Sequence, residues 1–331
     1  MSIRRSSGLA GAVALALVLT GCGSSKDGSD SAAKGGTRVF AADNGKIKIP
    51  AEPKRVVATG YAVPAMIEAH APLVGISSWK RGEPMMSKQD LATYKKLPKV
   101  AGEQATETNY EAIAEAEPDL IVIGVPAPVL GDIDVKRLKS IAPVVAIGPT
   151  VPSAWRKLSR KQADAAGSLE RFDAVQKKYE TKAAELKKKY KHVLPKLKLG
   201  HVGAYGESAK GTFQREFSGS WGTNIAEDIG ATYYGKVKKP GPGSQAVSEY
   251  PSIEELPASL RDADAITYSV QADGSVPKSV QYVMDSKLWK NLPAVKAGKT
   301  FPVRYTEAAT YGQAMQTLDA IDKSFAPLLK R

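Results

Sequence analysis

The stretch NYEAIAEAEPDLIVI, residues 109–123, contains both kinds of element from which the fold is built. Asn109–Ala116 has apolar residues at helical spacing, and Leu120–Ile123 is an unbroken apolar run that follows a proline and an aspartate. A short run of this kind is typical of a strand that is buried on both faces of a parallel sheet. The stretch therefore predicts one helix–strand unit of an α/β layer.

Similar units lie on both sides of this stretch in the first half of the chain. The other apolar runs and the amphipathic segments between them are Arg55–Ala58, Val63–Ala69, Leu73–Ile76, Val135–Ile141 and Val144–Ile147. Short strands that alternate with crossover helices predict a first α/β lobe over residues 38–150.

The same signature recurs faintly in the second half. Glu254-Glu255-Leu256 leads into Asp264-Ala265-Ile266, as Glu111-Ala112-Ile113 leads into Asp119-Leu120-Ile121. We therefore expect a second α/β lobe over residues 195–331. Two similar lobes predict a cleft between them, and such clefts are favoured ligand sites.

Residues 153–192 differ in composition from the preceding segments, with no proline and a single glycine, Gly167. From Ala166 to Tyr190 apolar side chains recur at every third or fourth position, with charged residues between them. The pattern predicts one long helix over residues 151–194, or two helices broken near Gly167. Such an element exceeds the width of a small lobe, so we expect it to run along both.

The beginning of the chain has the pattern of an export signal. Arg4 and Arg5 precede an apolar run, Leu9–Leu19, that is too short to span a bilayer. The run ends in Leu19-Thr20-Gly21-Cys22, which resembles the lipobox of bacterial lipoproteins. The resemblance implies a signal peptide over residues 1–21 and a lipid on Cys22 that anchors the chain on the extracytoplasmic face of the cell membrane. A buried or stray cysteine is the alternative.

Residues 22–37 are mainly Gly, Ser, Ala, Asp and Lys, and this composition predicts a flexible tether. The export route stays open between the general secretory and the twin-arginine pathway, although Arg4-Arg5 fits the second poorly. Cys22 is the only cysteine, so no disulfide can form within the chain.

The chain is strongly basic, with a formal net charge of +13. Such a charge favours contact with anionic lipid or cell-wall polymers. The lysines between Lys177 and Lys189 lie on the predicted long helix, where a solvated face explains them. We therefore do not expect nucleic-acid binding.

In their order, the segments resemble the iron-siderophore, cobalamin and haem-binding proteins of ABC importers. The segments that carry the resemblance are Pro53–Val57, Pro72–Ile76, Asn109–Ile121, Leu288–Lys296 and Arg304-Tyr305. The resemblance covers nearly the whole mature chain. It implies an α/β fold of two Rossmann-like lobes joined by a single long α-helix, with the ligand cleft between the lobes. It also implies an ABC permease and its ATPase as partners of a monomeric binding protein.

The resemblance further implies one carboxylate on each lobe that docks onto arginines of the permease. Glu111 and Glu254 stand at these positions. An ordinary glutamate near a helix start is the alternative for each, and Glu255 competes with Glu254.

The ligand is expected to be an iron chelate and not a bare ion. A bare metal needs a shell of His, Asp or Cys, and the three histidines, His70, His192 and His201, are scattered. We therefore expect no metal site and no cofactor of the protein's own. Iron would arrive already wrapped in a siderophore.

A ferric siderophore is bulky and half-apolar, so its recognition needs aromatic walls and a few cationic or hydroxyl donors. In open α/β sheets, ligands bind at the carboxyl ends of the strands. Side chains of these types follow the predicted strands, and we expect them to bind the ligand: Tyr61, Trp79, Arg81, Tyr205, Phe213, Arg215, Trp221, Tyr268, Gln271, Arg304 and Tyr305. Simple packing is the alternative for each ring.

This set is more aromatic than basic, which favours a neutral or weakly charged trihydroxamate, such as a ferrioxamine, over an anionic catecholate. Catecholate, haem and cobalamin remain alternatives on the same scaffold, and a surface receptor or adhesion module without transport is an alternative of another class. The chain lacks a dinucleotide-binding Gly-x-Gly-x-x-Gly after the first strand and a Gly-x-Ser-x-Gly elbow. An enzyme is therefore not expected.

Overall fold

The computed structural model describes residues 36–205 and 211–330, which belong to one compact unit, Gly35–Arg331. The predicted signal peptide over residues 1–21, the lipid site Cys22 and nearly all of the predicted tether lie outside these ranges. The tether was predicted to extend to residue 37, but Thr37 already begins the first strand. None of the described helices is long and apolar enough to cross a membrane.

The first lobe consists of short strands and helices that alternate along the chain. Its elements are β1 (Thr37–Ala42), β2 (Gly45–Pro50), β3 (Val56–Gly60), α1 (Ala62–Glu68), β4 (Leu73–Ser77), α2 (Lys88–Lys96), β5 (Lys99–Ala101), α3 (Tyr110–Glu115), β6 (Leu120–Gly124), α4 (Val135–Lys139) and β7 (Val144–Ala146). The last five strands form a parallel sheet in the order β5-β4-β3-β6-β7. Central strands β3 and β6 are almost entirely buried, as their apolar runs predicted.

The first two strands form a separate antiparallel hairpin that the sequence analysis missed. Each contributes one large buried side chain, Phe40 from β1 and Ile49 from β2, whereas Val39 is exposed and Ile47 only partly buried. Two such residues are too few for an apolar run. The sequence Asp43-Asn44-Gly45 was the available signal, since these residue types mark tight turns; the turn is Asp43-Asn44, and Gly45, which follows it, has φ +113°.

The segment between the lobes contains two helices, α5 (Trp155–Ala165) and α6 (Leu169–Tyr190). The sequence predicted one long helix over residues 151–194 or two helices broken near Gly167; the structure contains the long helix α6, preceded by the separate helix α5, with the break at Gly167. Gly167 has φ +68°, its N–H donates to the Asp164 carbonyl, and the Ser168 N–H donates to the Ala163 carbonyl. This pair of bonds closes α5 with a glycine cap, which ends a helix.

The two helices pack on different parts of the molecule. Helix α5 packs against α1 of the first lobe. The indole N–H of Trp155 and the guanidinium of Arg156 both donate to Asn224, at 3.0 Å each, in the second lobe. Helix α6, 22 residues long, contributes Phe172, Tyr179 and other buried residues to the core of the second lobe.

The second lobe repeats the α/β alternation. Its elements are β8 (Lys198–Gly203), β9 (Gln214–Glu216), α7 (Asn224–Asp228), β10 (Thr232–Tyr233), β11 (Ser248–Glu249), α8 (Leu256–Leu260), β12 (Ala265–Ser269), α9 (Lys278–Asp285), α10 (Lys287–Lys290), α11 (Pro293–Lys296), β13 (Thr300–Val303) and α12 (Tyr311–Phe325). Strands β8, β12, β13 and β10 run parallel, whereas β9 pairs antiparallel with β8 and β11 pairs antiparallel with β9.

The faint internal repeat has a structural counterpart. In the first lobe the carboxylate of Asp119 accepts the backbone N–H groups of Lys54 and Arg55, at 2.7 and 3.0 Å. In the second lobe Asp264 accepts the N–H of Lys198 at 2.8 Å. Each aspartate thus fixes the start of the neighbouring strand. The predicted two-lobed α/β fold is confirmed.

Candidate ligand cleft between the lobes

Tyr61 stands directly after β3, at the carboxyl end of the first sheet. Gly60 has φ +59°, and a Cβ there would lie 2.6 Å from the carbonyl oxygen of Gly124. Only glycine permits this turn together with the close approach of the β6 backbone. The turn places the Tyr61 ring at the start of α1, facing the second lobe, where it stacks on Trp221 with ring centroids 6.3 Å apart.

Trp79 and Arg81 lie in the loop after β4, which continues as a 3₁₀ helix over Lys80–Met85. The backbone N–H of Trp79 donates to the hydroxyl of Tyr94 at 2.8 Å, which fixes the start of the loop. The Trp79 ring packs edge-on against Tyr61, with centroids 4.8 Å apart. The Arg81 guanidinium lies over both rings, 4.0 Å from the centre of Trp79 and 4.8 Å from that of Tyr61.

Tyr205 and Trp221 supply the second-lobe side. Tyr205 follows β8, its N–H donates to the Gln214 side chain at 2.7 Å, and its carbonyl accepts the hydroxyl of Tyr250 at 2.8 Å. Its ring lies 5.3 Å from that of Trp221. The Trp221 indole N–H has no acceptor among the described residues. It is thus an unused donor at the edge of the cluster.

Glu307, which the sequence analysis missed, completes this arrangement. It lines the same space as Tyr61, Trp79, Arg81 and Trp221. Burial raises the pKa of its carboxyl group, and Arg81 opposes that rise. The signal was available: Glu307 follows β13 by four positions, yet the prediction stopped at Arg304-Tyr305.

We call the space bounded by Tyr61, Trp79, Arg81, Tyr205, Trp221 and Glu307 the interlobe cleft. Five of these six residues were predicted from the sequence to bind ligand, and the structure brings them together. Burial raises the pKa of Tyr61, so its phenol stays protonated and can donate a hydrogen bond. The cleft thus offers aromatic faces, phenol donors and one cation.

Two other predicted ligand residues, Phe213 and Arg215, lie inside the second lobe and not in the interlobe cleft. Phe213 belongs to the core. Arg215 is 1 % exposed and donates to the carbonyls of His201, Glu216 and Tyr234. Because Arg215 lies in β9, which pairs with β8, its side chain is directed into the protein.

The remaining four predicted residues are not gathered at the interlobe cleft. Tyr268 packs against Trp289 in the core, and Gln271 forms an exposed turn with Ser275. Arg304 and Tyr305 line a groove of about 720 Å³, open to solvent, between β13 and α12. The groove is larger than the cleft, but all its lining residues come from the second lobe and none is a tryptophan. We therefore place the candidate site in the cleft.

Glu111 lies in the first turn of α3 and forms an ion pair with Arg137. Its pKa is lowered by its own backbone N–H and by Arg137. Glu254 lies in a 3₁₀ turn before α8 and is exposed, whereas the carboxylate of Glu255 is paired with Lys238. The pairing of Glu255 leaves Glu254 as the freer of the two.

His201 is fully buried and has a structural environment. Its ring nitrogens contact Thr267 at 2.7 Å and Ser269 at 3.0 Å, and burial lowers its pKa to about 3. Among residues 36–205 and 211–330, no group of three His, Cys, Asp or Glu side chains is placed to hold a metal ion.

A second contact joins the lobes beside the cleft. Glu68, the last residue of α1, is 8 % exposed. It accepts the hydroxyl of Thr310 at 2.5 Å and the N–H of Gly312 at 3.0 Å, where α12 begins. We call these three residues the interlobe joint.

Comparison with known proteins identifies the family. A family model described as periplasmic binding protein matches residues 56–304. The iron(3+)-hydroxamate-binding protein YxeB of Bacillus subtilis is 28% identical over 289 residues, 85% of this chain and 83% of that protein. The probable siderophore-binding lipoprotein YfiY of the same organism is 28% identical over 328 residues, 93% of this chain and 94% of that protein.

Among solved structures, the siderophore periplasmic binding protein from the fuscachelin gene cluster of Thermobifida fusca is similar to this chain. It superposes with a TM-score of 0.66 and 30% sequence identity. The match covers 85% of this chain and 98% of that structure.

Proposed function

The chain belongs to the periplasmic binding protein family, and on that premise we propose that it captures a ferric siderophore of the trihydroxamate class for an ABC importer. The family consists of binding proteins, so the chain is not an enzyme. The iron chelate is a ligand and not a cofactor. The names of YxeB and of the Thermobifida fusca protein support an iron-chelate ligand.

The observation that carries the proposal is the interlobe cleft. Aromatic side chains from both lobes meet there, with Arg81 over the rings of Tyr61 and Trp79. Ring faces suit the apolar arms of a chelator, and a guanidinium suits oxygens that bear partial negative charge. In the described part of the chain, no carboxylate lies within ion-pair distance of Arg81.

The charge of the cleft supports a trihydroxamate. The cationic side chain is Arg81 and the anionic one is Glu307, so their formal charges cancel. A ferric catecholate carries several negative charges and needs several cations to replace its hydration. A ferric trihydroxamate has a neutral metal centre, which one donor cation and several phenols can serve.

Capture requires the cleft to widen. The side chains around it leave no free volume that a water molecule could occupy, whereas sites for small molecules usually offer about 300–1,000 Å³. Arg81 lies at the surface of its loop and can rotate off the rings. We propose that the chelate displaces Arg81 from the ring faces and that the guanidinium then contacts the chelate oxygens.

Titration of the purified compact unit from Gly35 onward tests the proposal. Quenching of Trp79 and Trp221 fluorescence reports binding in the cleft, while Trp155 and Trp289 lie in the cores. We expect tight binding of a ferric trihydroxamate and weak binding of a ferric tricatecholate, haem and cobalamin. Tight binding of the catecholate with none of the hydroxamate would overturn the assignment.

Delivery to a permease is proposed to use Glu111 and Glu254. In both sheets the helix that precedes a parallel strand begins at the carboxyl edge, so these glutamates lie at the same edge of their sheets as the ligand loops. The double variant Glu111→Gln, Glu254→Gln should keep its chelate affinity and lose at least about tenfold in iron uptake by cells, by loss of charge-assisted contacts. Glu115→Gln on α3 and Glu255→Gln, which is paired with Lys238, are the matched controls.

Lipid anchoring at Cys22 is proposed on the lipobox, and the description of YfiY as a lipoprotein supports it. The Cys22→Ala chain should appear in the culture medium, because it lacks the acylated residue.

We further propose that the chain acts as a monomer with two lobes, residues 38–150 and 195–331, and a connecting segment, residues 151–194. Permease and ATPase genes beside this gene would favour import over a surface-receptor role.

A further inference from the structure

The interlobe cleft contains a carboxylate to which neither the family match nor the names of the relatives assign a role. Glu307 lies between β13 and α12 and is half-buried. Among residues 36–205 and 211–330, no hydrogen bond or ion pair engages its carboxylate, and Arg81 acts on it only over a longer distance.

Other buried carboxylates, between the lobes and in the core of the second lobe, have hydrogen-bond partners. Glu68 accepts hydrogen bonds from Thr310 and Gly312, and Glu216 accepts the N–H of Gly222 at 2.6 Å. A carboxylate that is withdrawn from water without such partners is unfavourable in the folded protein. Retention of an unpartnered charge in a ligand cleft is typical of a group that is directed at the ligand.

We propose that Glu307 selects ferric chelates that carry a cationic group, by pairing with an ammonium at the periphery of the chelate. This rests on the proposed function and adds the charge of the preferred ligand. Arg81 addresses the metal-bound oxygens, and Glu307, from the other lobe, addresses the appended cation. A chelate with a neutral metal centre and one ammonium therefore satisfies both charges at once.

A purely structural role for Glu307 predicts something different. Rotation of the two side chains could bring Glu307 onto Arg81, and this ion pair would then hold the lobes together. In that case the loss of Glu307 would change the affinity for every chelate by a similar factor. The selective role changes affinity only for chelates that carry the cation.

The experiment compares two ferric trihydroxamates that differ by one charge. The probes are ferrioxamine B, which ends in an ammonium group, and its N-acetyl derivative, which is neutral. Their dissociation constants are measured by fluorescence quenching for the unmodified protein, for Glu307→Gln and for Glu83→Gln. Glu83 lies in the 3₁₀ helix beside Arg81 but does not line the cleft, so its variant controls for a general change in charge.

We expect the unmodified protein and Glu83→Gln to prefer the ammonium form by about 10-fold or more, as for a hydrogen bond to a charged group. Glu307→Gln should bind both probes with similar dissociation constants. Equal affinity of the unmodified protein for the two probes, or a preference that survives in Glu307→Gln, would overturn the inference while leaving siderophore capture intact. Binding of neither probe by any variant would overturn the proposed function and this inference together.

Discussion

Two carboxylates lie on the seam between the lobes, close together in the fold and opposite in their surroundings. Glu68 ends α1 in the interlobe joint and is held by the hydroxyl of Thr310 and the N–H of Gly312. Glu307 lies three residues before Thr310, in the interlobe cleft, and no described residue donates a hydrogen bond to it.

The difference distinguishes a carboxylate that stabilises the structure, Glu68, from one that can recognise a ligand, Glu307. In the joint, polar groups of the two lobes satisfy each other, so the contact holds the lobes in a fixed relation. In the cleft, no described carboxylate forms an ion pair with Arg81 and no described residue donates a hydrogen bond to Glu307, so both charges are available to a ligand. The contact between the lobes is thus closed at the C-terminal end of α1, where Glu68 lies. At the N-terminal end of α1, beside Tyr61, the cleft is available to a ligand.

The largest expected effect concerns pH and the joint. Burial raises the pKa of Glu68 from 4.5 to about 7, a nearby Asp90 adds to the rise, and Arg171 opposes it together with the two hydrogen bonds. The folded protein therefore keeps a proton that the unfolded chain loses above pH 4.5. This contribution to stability is fully present below pH 4.5 and is lost as the pH rises through 7.

Glu68→Gln fixes the neutral form, so the variant should retain the stability that the unmodified protein loses. Urea unfolding of both proteins at pH 4 and pH 8 measures this. The free energy of unfolding of the variant, relative to the unmodified protein, should rise by up to about 3 kcal/mol between the two pH values. A difference that is independent of pH would show that folding leaves the pKa of Glu68 unchanged, which would contradict the raised pKa.

The second effect concerns Arg81 in the cleft. Arg81→Gln removes the cation but keeps a donor, and we expect the dissociation constant for a ferric trihydroxamate to rise about 10- to 100-fold, as when a charged hydrogen-bond donor is lost. Arg81 forms no ion pair with a described residue, so the variant loses mainly its cation–π contacts with Tyr61 and Trp79, and the free energy of unfolding should fall by about 1 kcal/mol. A large loss of stability without a loss of affinity would assign Arg81 to the structure instead.

Arg81 also shows where sequence reasoning reached its limit, because in the sequence it cannot be distinguished from Arg215. In the sequence, each arginine follows a predicted strand and stands among aromatic residues. Only the pairing of β9 with β8 decides that Arg215 faces inward, towards carbonyls as far away in the chain as Tyr234. Long-range antiparallel pairing leaves no local pattern in a strand of three residues.

The fold was more accessible to prediction than the site, for a physical reason. The parallel strands are buried on both faces, so continuous apolar runs such as Leu120–Ile123 mark them. The break at Gly167 was visible as the one glycine in a helical pattern. The hairpin at β1 and β2 was not marked by such a run, because it is covered on one face only and Val39 remains 68% exposed.

The smallest expected effect concerns Glu307. Its replacement should raise the free energy of unfolding, whereas most mutations lower it. Burial raises the pKa of Glu307, so its ionised form at pH 8 is unfavourable in the folded protein. Glu307→Gln removes that charge and should increase the free energy of unfolding by about 0.5–1 kcal/mol at pH 8, as is common when a residue kept for function is replaced. Because the gain comes from removing an ionised carboxylate, it should shrink as the pH falls, and urea unfolding of the protein without ligand measures both values. Glu83→Gln provides the matched control and should stay within about 0.5 kcal/mol of the unmodified protein. A loss of stability in Glu307→Gln would be the result expected for a carboxylate with hydrogen-bond partners, such as Glu68. Glu307 would then have a structural role like that of the interlobe joint, and the contrast between the two carboxylates would not hold.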